Sequence, residues 1–309
     1  MIEKAYDIKI EEYSVPCGEN EVLCLGFFDC IHQGHLKLIN RAKQISFTKD
    51  YLVSIFTFDN NPLSFFKKQK LLYTFDERCF VIEELQINHV YKATFTKEFA
   101  SMDRDEFLDK LLSNKNVKAI VVGADYTFGK DRLGDVNYLK EYCDNHNIQL
   151  YVEPLYQYND KKLSTTNLRK LVINGELDEL NSLLVSPYII GGKVDKGRGV
   201  GGAQLFPTAN LTLDADKIEL APGVYYTHVF IDGIRYRAAT NVGAKPTYGI
   251  STYNVESYIL FYTKKIYGKQ IVVEFEQKIR DNKKFESIDE LKEQIQKDID
   301  FICSQNGGY

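Results

Sequence analysis

Two histidines lie three residues apart in the stretch GFFDCIHQGH, residues 26–35. The chain has five histidines in all, and His32 and His35 fall where a short apolar run gives way to a helical pattern. The first N–H groups of a helix and the positive end of its dipole attract anions. One imidazole in the loop and a second in the first turn can both donate to phosphate oxygens. Gly34 and His35 would open that helix, with Gly26 and Asp29 in the loop before it. A metal pair is the weaker reading, because no third ligand stands nearby in the sequence. Two polar loop histidines without a role remain an alternative on these residues alone.

Other stretches carry weaker signals. GRGVGG (197–202) satisfies the G-x-G-x-x-G spacing, but the fingerprint needs a helix directly after it, and AQLFPTANLTL is strand-like and contains proline. A glycine loop beside a strand remains. Ser164–Thr166, in LSTTNLRK, suit the N-cap of a helix running from Asn167. Read from NVESYIL alone, Glu256 is a solvated face residue.

These candidates need elements to position them. From Glu21 to Pro154 strand-like runs (EVLCLGFF, YLVSIFTF, NHVYKATF, VKAIVVG, IQLYVEP) alternate with helical ones (Leu36 to Ile45, FDERCFVIEEL opened by Asp76, SMDRDEFLDKLL, DVNYLKEYCDNH). That alternation predicts βαβ units and a parallel sheet, with ligands beyond the carboxyl ends of the strands. Near Val185–Pro187 the pattern changes to short strands broken by glycine and proline, rich in Tyr and Val, which predicts an antiparallel barrel or sandwich. A helix closes the chain, with Ser287 and Glu290 as a capping box. Two domains are expected, 1–185 and 186–309.

Composition narrows the class. A hydrophobic fraction of 44% and a charged fraction of 27% are those of a globular protein, and the net charge of −4 gives no reason to expect nucleic acid or membrane as partner. Lys67, Lys68 and Lys70 read as a solvated loop. The first sixteen residues lack an apolar targeting core, and no apolar run approaches a membrane span. The six cysteines include no C-x-x-C pair, so neither a zinc site nor a disulfide framework is indicated. A cytoplasmic protein is expected; its oligomeric state is not legible.

A resemblance sharpens the reading. HQGH matches the H-x-G-H signature of the nucleotidylyltransferase superfamily, and GFFDCIHQGHLKLI resembles the corresponding segment of prokaryotic FAD synthetases, with Cys30 where glycine is commoner. VVGADYTFGKDRLGD (121–135) and LSTTNLRKLVINGEL (163–177) are similar to two further segments of that family, in order. FPTAN (206–210) resembles the P-T-A-N motif of riboflavin kinases, as do PGVYYT, NVGAKPTYG, VESYIL and the stretch 267–291 around it. The family's Gly-Arg pair before this motif reads Gly201-Gly202 here. The combination resembles a bifunctional riboflavin kinase/FMN adenylyltransferase.

The resemblance implies a Rossmann-like nucleotidylyltransferase domain followed by a β-barrel kinase domain. It implies phosphorylation of riboflavin to FMN, then adenylylation of FMN to FAD, with ATP and Mg²⁺ at both steps. For adenylylation it implies His32 and His35 at the ATP phosphates with Gly26, Asp29 and Gly34 in the same site, Arg169 on the β- and γ-phosphates with Ser164 and Thr165 as hydroxyl donors, and Asp125 and Phe128 at the flavin. For the kinase it implies Glu256 as general base, Thr208 and Asn210 as ligands of Mg²⁺ and ATP, Gly197 and Gly199 in a loop over the phosphates, and Arg280 at the flavin. An adenylyltransferase whose barrel only binds flavin, and a flavin sensor without turnover, remain alternatives.

Overall fold

The computed structural model describes residues 9–67, 69–113, 115–159, 161–195, 208–247 and 250–305. Its contacts divide the chain into two units, the first ending at Thr165 and the second beginning at Thr166.

The strands of the first unit are β1 (Lys9–Glu12), β2 (Cys17–Leu25), β3 (Leu52–Phe58), β4 (His89–Ala93), β5 (Lys115–Gly123) and β6 (Gln149–Glu153). Its helices are α1 (Gln33–Lys49), α2 (Pro62–Lys67), α3 (Phe75–Glu84), α4 (Lys97–Ser101), α5 (Arg104–Leu112) and α6 (Val136–Asn145), and a short hairpin follows, β7 (Gln157–Tyr158) with β8 (Lys161–Lys162). The six long strands form one parallel sheet in the order β1-β4-β3-β2-β5-β6. The order reverses at β2, with β3 on one side and β5 on the other, so the crevice for a ligand opens beyond the ends of these two strands. Val22 to Leu25 in β2 are at most 1% exposed, as the unbroken apolar run requires of a central strand. Ile39, Ala42 and Ile45 seat α1 by its apolar face.

One strand went unread and one expectation needs correction. The charged N-terminal stretch contributes a strand, β1, which pairs with β4 at the sheet's edge. The helix expected to open at Asp76 is capped by Thr74, whose side chain accepts from Glu77 N while the Glu77 carboxylate accepts from Thr74 N. The local T-x-x-E box outweighs an acid at the second helical position.

The second unit begins with α7 (Thr165–Asn174) and α8 (Leu177–Leu183) and continues through β9 (Tyr188–Asp195), β10 (Thr208–Thr212), β11 (Gly223–Ile231), β12 (Ile234–Thr247), β13 (Ile250–Ile259) and β14 (Gln270–Arg280) to α9 (Ile288–Ser304). The strands close into an antiparallel barrel in the order β10-β13-β12-β11-β14-β9. Alternate residues fill it, including Val255, Ser257, Thr240, Val242 and Thr227, all 0% exposed. The buried hydroxyls satisfy each other, Thr227 with Thr240 at 2.7 Å and Thr240 with Ser257 at 2.8 Å. Ser287 caps α9 by accepting from Glu290 N, and Ile302 buries against Tyr226 and Leu260. Helix α7 starts two residues before Asn167, which leaves the cap position to Ser164.

Candidate active sites

His32 is the N-cap of α1, with extended backbone (φ −104°, ψ 173°). Its Nδ1 accepts from the backbone N–H of Gly34 at 3.1 Å and of His35 at 3.2 Å. The expectation that these N–H groups wait for a phosphate is therefore corrected: the imidazole consumes them. An Nδ1 that accepts carries no proton, so the neutral ring holds its proton on Nε2, available as a donor. The glycine at 34 has a steric cause. A Cβ there would lie 2.9 Å from His32 Cε1 and 3.0 Å from His32 Nδ1, so any other residue pushes the ring off the helix end.

His35 stacks on His32, with ring centroids 3.8 Å apart and planes 11° from parallel. Its Nδ1 lies 2.6 Å from the Cys30 carbonyl, which can only accept, so Nδ1 carries the proton and the neutral ring leaves a lone pair at Nε2. Burial pushes the His32 imidazole down to about 2, helped by the neighbouring His35, and the His35 imidazole down to about 4. The two stacked rings thus carry opposite states at Nε2, one a donor and one an acceptor.

The loop between β2 and α1 holds this pair through strain and clamps. Phe28 is left-handed at φ 51°, a conformation that costs a bulky residue about 1–3 kcal/mol. Its ring lies over Gly26, where a Cβ would come within 2.9 Å, and reaches His35 at 4.9 Å between centroids. Because the left-handed residue is Phe28, Cys30 can stand where glycine is commoner. Asp29 is 2% exposed; its Oδ1 accepts from Leu72 N at 3.0 Å and its carbonyl from Tyr73 N at 3.0 Å. Asp29 is thus engaged in holding the loop.

Asp125 follows β5, next to β2 in the sheet, and pairs with Lys162 at 2.5 Å. It is close enough to favour a charged His32. Phe128 is a core residue, 7% exposed and packed on Phe107 and Tyr126. An aromatic in a glycine-flanked loop can thus anchor the loop itself. Gly134 pairs with Phe128 across an isolated bridge, and a Cβ there would meet the ring at 2.6 Å. Ser164 and Thr165 end the first unit; Arg169, 6% exposed on α7, belongs to the second.

The second site is built by strand register. Glu256 alternates with the buried Val255 and Ser257, so it stands on the outer face of the barrel, half-buried. It pairs across the sheet with Asn210 on β10. Thr208 Oγ1 and Asn210 Nδ2, the latter at 3.2 Å, both donate to Glu256 Oε1. The oxygens of Thr208, Asn210 and Glu256 form a hard donor set, the kind a small divalent cation takes. Gly197 and Gly199 lie outside the described residues. Arg280 is committed elsewhere: its Nε and NH2 grip the 3% exposed carboxylate of Asp298, with NH2–Oδ2 at 2.7 Å, and tie β14 to α9.

Two further clusters of ligand-type side chains occur among the described residues, Cys17–Glu21–His89 and His228–Glu274–Glu276. In the first, Glu21 accepts from Ser54 and Tyr91, and His89 meets the Tyr91 hydroxyl. In the second, Arg235 bridges both carboxylates and His228 meets Glu276. Both read as hydrogen-bond networks.

Sequence reasoning missed Phe28, whose backbone is left-handed, and Thr57 and Arg78, whose side chains both donate to the Phe27 carbonyl beside the first site. No spacing announces a buried arginine on a helix or a left-handed phenylalanine.

Two family models match the chain: one described as FAD synthetase over residues 15–167, and one described as riboflavin kinase over residues 184–304. A bifunctional riboflavin kinase/FMN adenylyltransferase of Bacillus subtilis (strain 168) is 33% identical over 284 residues, covering 90% of each chain. Its counterpart in Escherichia coli (strain K12) is 29% identical over 285 residues, covering 91% of each. Among solved structures, one named a macrolide-efflux protein from Streptococcus pneumoniae superposes with a TM-score of 0.83 at 28% identity, over 97% of this chain and 100% of that one. The efflux name is that protein's; among the described residues here, no helix is long and apolar enough to cross a membrane.

Proposed function

The chain belongs to the family of bifunctional riboflavin kinases/FMN adenylyltransferases, and from that premise we propose how its two sites divide the work. The protein phosphorylates riboflavin to FMN with ATP, then adenylylates FMN to FAD with release of pyrophosphate. The observation that carries the division is the His32 cap in the first unit set beside the Thr208–Asn210–Glu256 cluster in the second.

In adenylylation the FMN phosphate attacks the α-phosphorus of ATP, the P–O bond to the pyrophosphate breaks, and charge grows on the leaving group. Such a site needs oriented donors more than a base. His32 donates from Nε2, and the N–H groups of Gly34 and His35 polarise it from behind. His35 gains its second proton as the triphosphate arrives, because an anion at Nε2 favours the imidazolium. Arg169, Ser164 and Thr165 grip the outer phosphates, and Asp125 orients the flavin nucleotide. Gly26 and Asp29 serve by shaping the loop, and Phe128 by anchoring the loop after β5.

In the kinase, Glu256 takes the proton of the ribityl 5′-hydroxyl as its oxygen attacks the γ-phosphorus. Thr208 and Asn210 hold Oε1, which leaves Oε2 for the hydroxyl. Their own oxygens fit Mg²⁺, which when bound neutralises charge on the ATP phosphates. Gly197 and Gly199 serve the ATP phosphates, and Arg280 acts for the flavin at second hand, by fixing α9. Because ATP serves both steps, we place the protein in the cytoplasm.

We assign adenylylation to residues 1–185 and phosphorylation to 186–309. The two matched segments leave residues 168–183 between them, and the assigned boundary falls two residues into the second segment. Helix α8 packs with the barrel: Leu177, Leu180 and Leu183 are buried, and Asn181 Nδ2 donates to the Phe275 carbonyl at 2.9 Å. A fragment from Thr166 should therefore outlast one from Ser186 on heating, with both phosphorylating riboflavin. Chromatography after incubation with riboflavin, ATP and Mg²⁺ tests the whole reading: FMN should appear first and FAD after it. Accumulation of FMN alone, or of neither, would remove one site or both.

A further inference from the structure

Arg78 sits in the first turn and a half of α3, where a long cation ordinarily reaches solvent, yet it is 0% exposed. Its NH1 donates to the Phe27 carbonyl at 3.0 Å and to Thr57 Oγ1 at 2.6 Å, and its NH2 donates to the Phe58 carbonyl at 2.6 Å. The rings of Phe27 and Phe75 lie 5.0 and 5.5 Å from the guanidinium carbon. Nε makes no hydrogen bond. Burial brings the group down to about 10, so it remains a cation at neutral pH.

A buried charge is costly to keep, and an apolar side chain of similar volume could fill the same space. What the guanidinium adds is direction. Its fork joins the carbonyls at the carboxyl ends of β2 and β3, the rim of the crevice. The Phe27 carbonyl also accepts from Thr57 Oγ1 at 2.6 Å, so two donors fix the peptide plane between residues 27 and 28. That plane sets φ of Phe28, the left-handed residue whose ring meets His35. Just before α3, Leu72 and Tyr73 hold Asp29, and the Cys30 carbonyl then accepts from His35 Nδ1–H. A continuous chain of contacts thus runs from α3 to the stacked imidazoles.

We propose that Arg78 is a positioning residue of the adenylyl-transfer site: it touches no substrate, and it holds the loop 27–30 in the strained form that presents His35 and His32 to the phosphates. The proposal rests on reading residues 26–35 as that site. Without the fork, the peptide at 27–28 relaxes, Phe28 leaves the left-handed region, and the rings lose their register. A displacement of about 1 Å at reacting groups can cost about 10²-fold in rate.

The test uses the full chain, with Arg78→Lys, Arg78→Met and His35→Ala compared in both reactions. Lysine keeps the charge and loses the fork; methionine keeps the volume and loses both. For Arg78→Lys we expect the kcat of FAD formation from FMN to fall about 10- to 100-fold, the KM for FMN to stay within about threefold, and riboflavin phosphorylation to keep the parent rate. Arg78→Met should lose at least as much. Thr57→Val, which removes the second donor on the Phe27 carbonyl, should move kcat in the same direction by less. Thermal unfolding and circular dichroism of each full-length variant gauge folding of the first unit, and the phosphorylation rate gauges the second. A parent kcat in Arg78→Lys overturns the proposal, as does a change confined to KM, or a fall in FAD formation matched by the loss of folded first unit. If His35→Ala itself forms FAD at the parent rate, the reading of the site fails, and that outcome is separate from the failure of Arg78 alone.

Discussion

The two sites of this chain are assembled in opposite ways. The first is compact in sequence: His32 and His35 share one helix mouth, and their rings stack because the helix brings positions three apart onto one face. Its geometry nevertheless depends on distant support, since the loop that carries the rings is strained at Phe28 and clamped by Thr57, Leu72, Tyr73 and Arg78. The second site is dispersed in sequence, with Thr208 and Asn210 standing 48 and 46 positions from Glu256. It needs little loop support, because antiparallel register alone sets the three side chains together on one face. A site on a loop takes its precision from what lies beneath it; a site on a sheet takes it from the ladder.

The largest effect should come from the sheet-built site. Glu256→Gln keeps the shape and still accepts from Thr208 and Asn210, but it cannot take a proton. Riboflavin phosphorylation should fall by about 10²–10⁴, with riboflavin affinity within a few-fold and FAD formation from supplied FMN unchanged. Flavin fluorescence reads the binding, and product chromatography reads the rates. A parent rate would remove Glu256 as the base. A loss of adenylylation as well would couple the two sites and end the comparison.

Next in size is His35→Ala, which should lower FAD formation from FMN by about 10²–10³ while riboflavin phosphorylation continues. If both reactions fall, the helix mouth is acting on the stability of the chain, and the contrast between local chemistry and distant support would need redrawing.

These contrasts also explain what the sequence could reveal. The alternation of apolar runs foretold β2 to β6 and the helices α1, α3, α5 and α6, though not the short α2 and α4, because buried parallel strands and amphipathic helices each leave a periodic mark. The H-x-G-H spacing pointed to the first site, since a helix mouth is a local object. The clamps beneath it left no mark. Arg78 looks like any helix-surface arginine until the fold buries it, and Phe28 does not announce its backbone angle. β1 was hidden because an edge strand of KIEE pairs on one side only and carries no apolar alternation. The direction of His32 Nδ1, toward its own helix, could not be read from spacing, which is equally compatible with a ring aimed at phosphate. In the barrel, Glu256 became visible only through resemblance, because cross-strand neighbours are far apart in sequence.

A smaller effect concerns acid. Both imidazoles of the first site are held neutral, His35 down to about 4 and His32 down to about 2, while in the unfolded chain each would titrate near 6.5. Below about pH 6.5 the unfolded state binds more protons, so the stability these groups confer is fully present above that value and is lost as pH falls through their folded values. For the half-buried His35 the contribution should be on the order of 2 kcal/mol. Thermal unfolding followed from pH 7 to pH 4.5 should show His35→Gln losing stability less steeply than the parent. Parallel curves would mean that the His35 ring is not held neutral in the folded protein.

The smallest effect tests the comparison through two caps of the same chemistry. Thr74 opens α3 beneath the first site with both bonds of a capping box, at 3.3 Å to Glu77 N and 2.7 Å from Thr74 N to Glu77 Oε2. Ser287 opens α9 with one of those bonds, at 3.1 Å to Glu290 N, while the Glu290 carboxylate accepts instead from Glu286 N. Replacing either cap by alanine should cost about 1 kcal/mol, a downward shift of a few degrees in unfolding temperature. The rates should separate them. Thr74 adjoins Tyr73, which holds Asp29, and begins the helix that carries Arg78; Thr74→Ala should therefore lower adenylylation two- to threefold by the loop argument, about 0.5 kcal/mol of barrier. Ser287→Ala frays a helix whose link to the barrel runs through Asp298 and Ile302, well along from the cap, while Glu256 is held by Thr208 and Asn210. Phosphorylation by that variant should stay within experimental error of the parent. Equal effects on the two rates would show that the first site is no more dependent on its scaffold than the second.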